Sequence, residues 1–140
     1  MVTTRRDFLK DALIGITVVG FMPSILVSCS DSTGVDHGTI AVNVASLDAE
    51  GKGLRSQLPD GTPIMVIRRP SSVYVTLQLI CQHAGCKGNS LQLTGQMIEC
   101  GCHGSQYDLE GTVIKGPAVK DLVTYKTTFD AAKNEVTIEY

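Results

Sequence analysis

The distribution of apolar side chains divides this chain of 140 residues into three regions. Residues 12–27 form a nearly unbroken apolar run, and residues 30–38, Ser-Asp-Ser-Thr-Gly-Val-Asp-His-Gly, are polar and glycine-bearing. From residue 39 onward, apolar and polar positions interleave. The clearest alternation is Val73-Tyr74-Val75-Thr76-Leu77-Gln78-Leu79, and Val136-Thr137-Ile138 follows the same rule. Successive side chains of a strand point to opposite faces, so a period of two predicts half-buried strands. Strands are expected over residues 39–44, 63–68, 73–80, 91–93, 97–100, 123–129 and 135–140. Turn-forming clusters separate them: Gly51-Lys52-Gly53, Pro59-Asp60-Gly61, Thr94-Gly95 and Ala132-Lys133-Asn134. Residues 48–58 have room for a helical turn, but their glycines argue against a long helix. The pattern predicts one all-β domain over residues 39–140, long enough for a modest core and without internal repeats.

Charge narrows the possible partners. The net charge is −2, and without residues 1–28 it is −3. No basic patch points to nucleic acid, and the pair Arg68-Arg69 before Pro70 reads as a solvated strand end.

The amino-terminal region carries a targeting pattern. Thr4-Arg5-Arg6-Asp7-Phe8-Leu9-Lys10 ahead of the apolar run has the arrangement of a twin-arginine export signal, a route taken by proteins that fold before they cross the membrane. The run of 16 residues would span roughly 24 Å as a helix, short of the ~30 Å hydrocarbon core, and Pro23 interrupts it. Leu26-Val27-Ser28-Cys29 resembles a lipobox, in which the chain is cut before Cys29 and that thiol is lipidated. A retained, tilted transmembrane helix is the competing reading. Three regions follow: a signal with its apolar segment over 1–28, a flexible tether over 29–38, and the folded domain over 39–140. The expected location is the outer face of the cytoplasmic membrane or the periplasm, with the chain membrane-anchored. His37 lies in the tether and reads as a solvated histidine.

The remaining chemistry is concentrated in two short segments. Cys81-Gln82-His83-Ala84-Gly85-Cys86 and Cys100-Gly101-Cys102-His103-Gly104-Ser105 hold four of the five cysteines and two of the three histidines. One offers Cys-x-His and the other Cys-x-x-His, with 16 residues between His83 and Cys100, so two loops can present four ligands to one centre. A Cys2His2 set suits a tetrahedral zinc ion. That reading gives Cys86 and Cys102 no work. The same set suits a 2Fe-2S cluster in which two histidines replace two cysteines on one iron.

Cys-x-His-x-Gly-Cys followed by Cys-x-Cys-His-Gly-Ser resembles the double loop of the Rieske iron-sulfur proteins, in the disulfide-bearing form of bc-type quinol-oxidising complexes. The resemblance implies one 2Fe-2S cluster of Rieske type, with Cys81 and Cys100 on one iron, His83 and His103 on the other, and a disulfide between Cys86 and Cys102. It implies that the hydroxyls of Ser105 and Tyr107 reach cluster sulfurs and raise the potential. Gly85, Gly101 and Gly104 would serve tight loop geometry, since glycine accepts positive φ and close backbone approach. Gly116-Pro117-Ala118 resembles the family's proline loop, which covers the cluster from a third side. The chain departs from the family pattern at Ala84, where leucine is usual, at Gly101, where proline is usual, and at Val119, where a second proline is usual.

The implied fold is an antiparallel Rieske-like β-sandwich with a cluster-binding subdomain inserted over about residues 76–118, preceded by a signal or anchor helix. The implied function is one-electron transfer as the iron-sulfur subunit of a membrane quinol:cytochrome oxidoreductase. Its partners would be quinol and cytochrome b-type and cytochrome c-type subunits. A cluster neutral when oxidised gains one negative charge on reduction, so electron uptake is expected to draw a proton toward the imidazoles. With both motif histidines committed to iron, no nucleophile retains a general base, so the chain reads as an electron carrier within an enzyme complex and not as an enzyme alone. Two other readings fit the residues: an electron-transfer subunit of another exported oxidoreductase, resembling the Rieske partner of arsenite oxidase, and a zinc-stabilised binding lipoprotein.

Overall fold

The computed structural model describes residues 38–140. The twin-arginine motif, the apolar run, Cys29 and all of the tether except Gly38 lie outside the described residues.

Ten strands follow one another: β1 (Thr39–Asn43), β2 (Gly53–Gln57), β3 (Pro63–Arg69), β4 (Val73–Gln78), β5 (Leu91–Thr94), β6 (Met97–Cys100), β7 (Gln106–Tyr107), β8 (Val113–Lys115), β9 (Thr124–Asp130) and β10 (Glu135–Glu139). Two short 3-10 turns, Pro70–Ser72 and Gly88–Ser90, are the only helical elements among the described residues. Six strands form one sheet in the order β1-β10-β9-β4-β3-β2, and four form a second in the order β5-β6-β7-β8. Every pairing is antiparallel. The architecture is therefore the all-β arrangement that the alternation predicts.

Periodicity of two sorts the side chains of the central strands into two separate cores. On β3, Ile64 and Val66 join one cluster with Val44, Leu47, Leu58, Tyr74, Val136 and Ile138. Met65 and Ile67, one residue out of phase, join the other with Leu77, Leu79, Leu91, Ile98, Tyr107 and Leu109. This two-sided burial explains the continuous apolar run Ile64-Met65-Val66-Ile67, all four fully buried, where a one-sided strand would alternate. The second core lies between the small sheet and the face of β3 and β4, and it includes both Cys81 and Cys100.

The four strands of the small sheet occupy residues 91–115, between β4 and β9, two strands that pair directly with each other. The chain thus leaves the large sheet after β4, builds the small sheet, and returns to the same place. Gly111 N–H bonds the Asp108 carbonyl, Leu122 N–H bonds the Gly111 carbonyl, and Arg69 pairs with Glu110 at 2.7 Å, fastening the far end of the insertion to the large sheet. One expectation needs correction. Residues 48–58 contain β2, paired with β3 from Gly53↔Ile67 to Gln57↔Pro63, and no helical turn. β2 carries a single apolar side chain, Leu54, too little for a legible period, and its pairing is set by the hairpin turn at Pro59-Asp60-Gly61.

Candidate metal centre

The two cysteine-histidine segments fold into loops with one hydrogen-bond frame. In the first, Cys81 N–H bonds the Cys86 carbonyl at 2.8 Å and Gly85 N–H bonds the Cys81 carbonyl at 2.9 Å. In the second, Cys100 N–H bonds the Ser105 carbonyl at 2.8 Å and Gly104 N–H bonds the Cys100 carbonyl at 2.8 Å. Both glycines have positive φ, +71° at Gly85 and +75° at Gly104, and an added Cβ at either would meet nothing. Backbone conformation, not space, therefore requires glycine there. Gly101 has an ordinary φ, and its N–H bonds the Ser90 carbonyl at 2.7 Å.

The frame carries its thiols inward and its imidazoles outward. Cys81 and Cys100 are free and buried, 2% and 0% exposed, whereas His83 and His103 are exposed. The two imidazole rings meet edge to face with centroids 4.8 Å apart. Four potential ligands from two loops thus converge on one end of the small sheet. A disulfide joins Cys86 to Cys102 across the loops, as the resemblance implies. The sulfurs of Cys86, Cys100 and Cys102 lie within 4.8 Å of one another, but two of the three are oxidised to that disulfide and offer no thiolate.

Donors surround the free thiols. Burial pushes the Cys81 thiol up, yet hydrogen bonds from the Tyr107 hydroxyl, the His83 backbone N–H, the Cys100 thiol and the Ser105 hydroxyl outweigh it, and its pKa falls below the ordinary cysteine value. At Cys100 burial dominates and raises the pKa, helped by the neighbouring Cys81 sulfur and opposed by the backbone N–H groups of Cys102 and His103. The Tyr107 oxygen lies 3.3 Å from the Cys81 sulfur and accepts the Gln82 N–H at 3.1 Å. Ser105 is fully buried, and its Oγ accepts the Ala118 N–H at 3.0 Å, which ties the Gly116-Pro117-Ala118 segment to the second loop. Pro117 is exposed and Val119 is 87% exposed beside it.

Two participants have no signature in the sequence. The Gln82 N–H fixes the direction of the Tyr107 hydroxyl. Arg55, alone on the exposed strand β2, donates from Nη1 to the Gly88 carbonyl at 3.1 Å and from Nη2 to the Leu91 carbonyl, clamping both ends of the turn between the first loop and β5.

The donor set fits a metal group that takes thiolates on one side and imidazoles on the other. Hydrogen bonds to the Cys81 sulfur favour the thiolate that metal binding requires, and the backbone N–H groups beside Cys100 partly offset the burial that opposes it there, while the imidazoles are within reach of each other and of solvent.

Comparison with known proteins decides which group it is. Residues 39–126 match the family model of the Rieske 2Fe-2S domain. The chain is 30% identical to the cytochrome b6-f complex iron-sulfur subunit of Synechococcus sp. (strain JA-3-3Ab), over 91% of this chain and 83% of that protein. It is 31% identical to the ubiquinol-cytochrome c reductase iron-sulfur subunit of Rickettsia typhi (strain ATCC VR-144 / Wilmington), over 86% of this chain and 85% of that one. Among solved structures, it resembles the cyanobacterial plasma membrane Rieske protein PetC3 from Synechocystis PCC 6803, with a TM-score of 0.60 and 29% identity, over 72% of this chain and 99% of that one. The match removes the zinc reading: the chain belongs to the Rieske 2Fe-2S family, and a single cluster of that type is its cofactor.

Proposed function

We propose that this protein is the iron-sulfur subunit of a membrane quinol:cytochrome oxidoreductase, passing single electrons from quinol to a cytochrome. The observation that carries the reading is the division of the site, with two buried thiols at its inner end and two exposed imidazoles at its tip. Cys81 and Cys100 hold one iron and His83 and His103 the other. The bound cluster supplies one-electron chemistry. Around it, the hydroxyls of Tyr107 and Ser105 and the N–H groups of His83, Cys102 and His103 face sulfur, where they favour added negative charge and so a high potential. The histidine tips receive the partner: an imidazole there can hydrogen-bond a quinol hydroxyl while the disulfide and the Ser105–Ala118 bond hold the three loops fixed. Support for the partners comes from the relatives, which are named as subunits of cytochrome b6-f and ubiquinol-cytochrome c reductase assemblies.

The amino-terminal reading belongs to the same proposal. A twin-arginine signal delivers the folded, loaded domain across the cytoplasmic membrane, Cys29 receives a lipid anchor, and residues 29–38 tether the domain to the outer face of that membrane. A tether lets the domain visit donor and acceptor in turn.

Redox titration of the purified full chain, with quinol and a quinol-site inhibitor added in turn, tests the function. A potential too low to oxidise quinol, or no spectral response to the inhibitor, rejects it. Separate replacement of Cys81, His83, Cys100 and His103 is expected to abolish the native spectrum in each case. Mass spectrometry of the mature amino terminus tests the anchor, which an intact residue 1–28 segment would refute.

A further inference from the structure

The cationic side chains are not distributed evenly in their bonding. Among the described residues, Lys52, Arg69, Lys126 and Lys133 pair with carboxylates, and Arg55 and Arg68 donate to main-chain carbonyls. Lys87, Lys115 and Lys120 have neither kind of partner, and all three are exposed. Each stands at the foot of one loop of the metal centre. Lys87 follows Cys86 and bridges Ile80 across the base of the first loop. Lys115 ends β8 opposite Gln106, where the second loop re-enters the sheet. Lys120 follows Val119 in the third segment, which the Ser105–Ala118 bond fixes to the second loop.

Of the neighbouring carboxylates only Glu110 is ion-paired; Asp108 and Asp121 keep their charge, with Asp121 beside Lys120, so the excess charge of these lysines is smaller than three. Asp108 accepts the N–H groups of Glu110 and Thr112 in the turn at the far end of the β7–β8 hairpin, Glu110 pairs with Arg69 there, and Asp121 accepts the Val113 N–H at the start of β8. Glu99, half-buried beside Cys100, is the one carboxylate in the small sheet at the loop end. The result is an apolar and imidazole tip, made of His83, Ala84, His103, Pro117 and Val119, whose three segments are each flanked by an unpaired lysine, on a chain whose net charge is −2.

We infer that this collar docks an acidic protein surface, so that the redox partner meeting the histidine tip carries carboxylates around its own electron-exchange site. A local field of opposite sign to the net charge steers an anionic partner to the one place where transfer occurs. This rests on the electron-transfer reading above and adds the chemistry of the partner. An anionic membrane surface would also attract lysines. The protein partner is favoured because the three lysines flank the loops and segment that carry the imidazole tip, which must face a redox group.

The sign of the salt dependence tests it. The loaded full chain in neutral detergent is reduced, and its oxidation by ferricyanide is followed by stopped flow from about 10 mM to about 0.5 M salt. Steering by the collar makes the rate fall at least ~10-fold as salt rises, whereas net charge alone would make it rise. Combined Lys87→Gln, Lys115→Gln and Lys120→Gln replacement is expected to abolish or invert that fall, and Lys52→Gln, Lys126→Gln and Lys133→Gln together to leave it. An acidic c-type cytochrome as oxidant should follow the same pattern. A collar variant that keeps the fall, or a control variant that loses it equally, overturns the inference. So would acetylation footprinting in which the collar lysines are protected on phosphatidylglycerol vesicles but not on phosphatidylcholine. Visible and paramagnetic spectra of every variant separate the two levels: absence of the cluster signal in the unmodified chain strikes the electron-transfer reading, while a normal signal with the wrong salt dependence strikes only the collar.

Discussion

Replacing Tyr107 with phenylalanine isolates one hydrogen bond to the metal centre. The phenol is fully buried, and its oxygen sits between the Gln82 N–H at 3.1 Å and the Cys81 sulfur at 3.3 Å. Because the Gln82 backbone N–H can only donate, the phenol must accept from it, and its own proton is left to point at sulfur. Burial and the adjacent Cys81 sulfur push the Tyr107 pKa up from the ordinary phenol value, so the group stays protonated and remains a donor. Such a bond strengthens when the sulfur becomes more negative, so it favours the reduced state and raises the potential. A hydrogen bond to a charged group contributes about 1.5–3 kcal/mol in all. If roughly half of that differs between redox states, the loss corresponds to about 30–65 mV for a one-electron couple. Tyr107→Phe should therefore lower the midpoint potential by that amount, with the cluster retained, as protein-film voltammetry would show. It should also destabilise the fold by about 1 kcal/mol, since the half-buried Gln82 N–H loses its partner. A potential within ~10 mV of the unmodified protein, with the cluster spectrum intact, would refute the assigned direction of the bond.

Four further perturbations probe the frame and its support. Arg55→Ala removes both bonds to the Gly88 and Leu91 carbonyls and should cost about 1–2 kcal/mol in denaturant unfolding, near the low end for charged donors because the residue is exposed; Arg55→Lys should recover less than half, since one ammonium lacks the guanidinium fork. Joint replacement of Cys86 and Cys102 by alanine opens a cross-link between residues 16 apart and should lower unfolding stability by about 3 kcal/mol, read against the unmodified oxidised protein. Gly85→Ala meets only the left-handed backbone cost of about 1–2 kcal/mol. Gly111→Ala adds a Cβ 2.9 Å from Leu77 Cδ2 and 3.3 Å from Leu122 Cβ at a φ of +90°, so it should be worse by a further ~1–3 kcal/mol, and the reverse order in thermal unfolding would refute the packing argument.

What could be read from the sequence depended on how many consecutive residues report the same constraint. β10 alternates because one face meets a core, whereas β4 sends Tyr74 to one core and Leu77 to the other and alternates only because the buried Thr76 interrupts its apolar residues, and β3 shows an apolar run because both of its faces are apolar. β7 and β8, of two and three residues, are too short to display any period, and they are held in place by pairing to β6 and to each other. Arg55 is a lone arginine on an exposed strand, and nothing local distinguishes it from a solvated one. The ligand-type side chains were legible for the opposite reason, since cysteine and histidine at these spacings have few alternative uses.

The shared frame of the loops explains a feature that spacing alone obscures. Counting from Cys81 and from Cys100, the third position is His83 in one loop and Cys102 in the other, the fourth is Ala84 and His103, and the sixth is Cys86 and Ser105. Only the first and fifth positions, cysteine and positive-φ glycine, are the same in both, and these are the two residues whose backbone groups close the turn, Gly N–H to Cys carbonyl. The remaining positions are free for different work on one backbone. The sixth residue of the first loop and the third of the second make the disulfide, while the sixth of the second, Ser105, turns its hydroxyl to the third segment through Ala118. Two copies of one turn can thus place a matched pair of buried thiols yet carry their histidines at different offsets. The irregular Cys-x-His and Cys-x-x-His spacings are then the consequence of a regular backbone that assigns its outward positions differently in each loop.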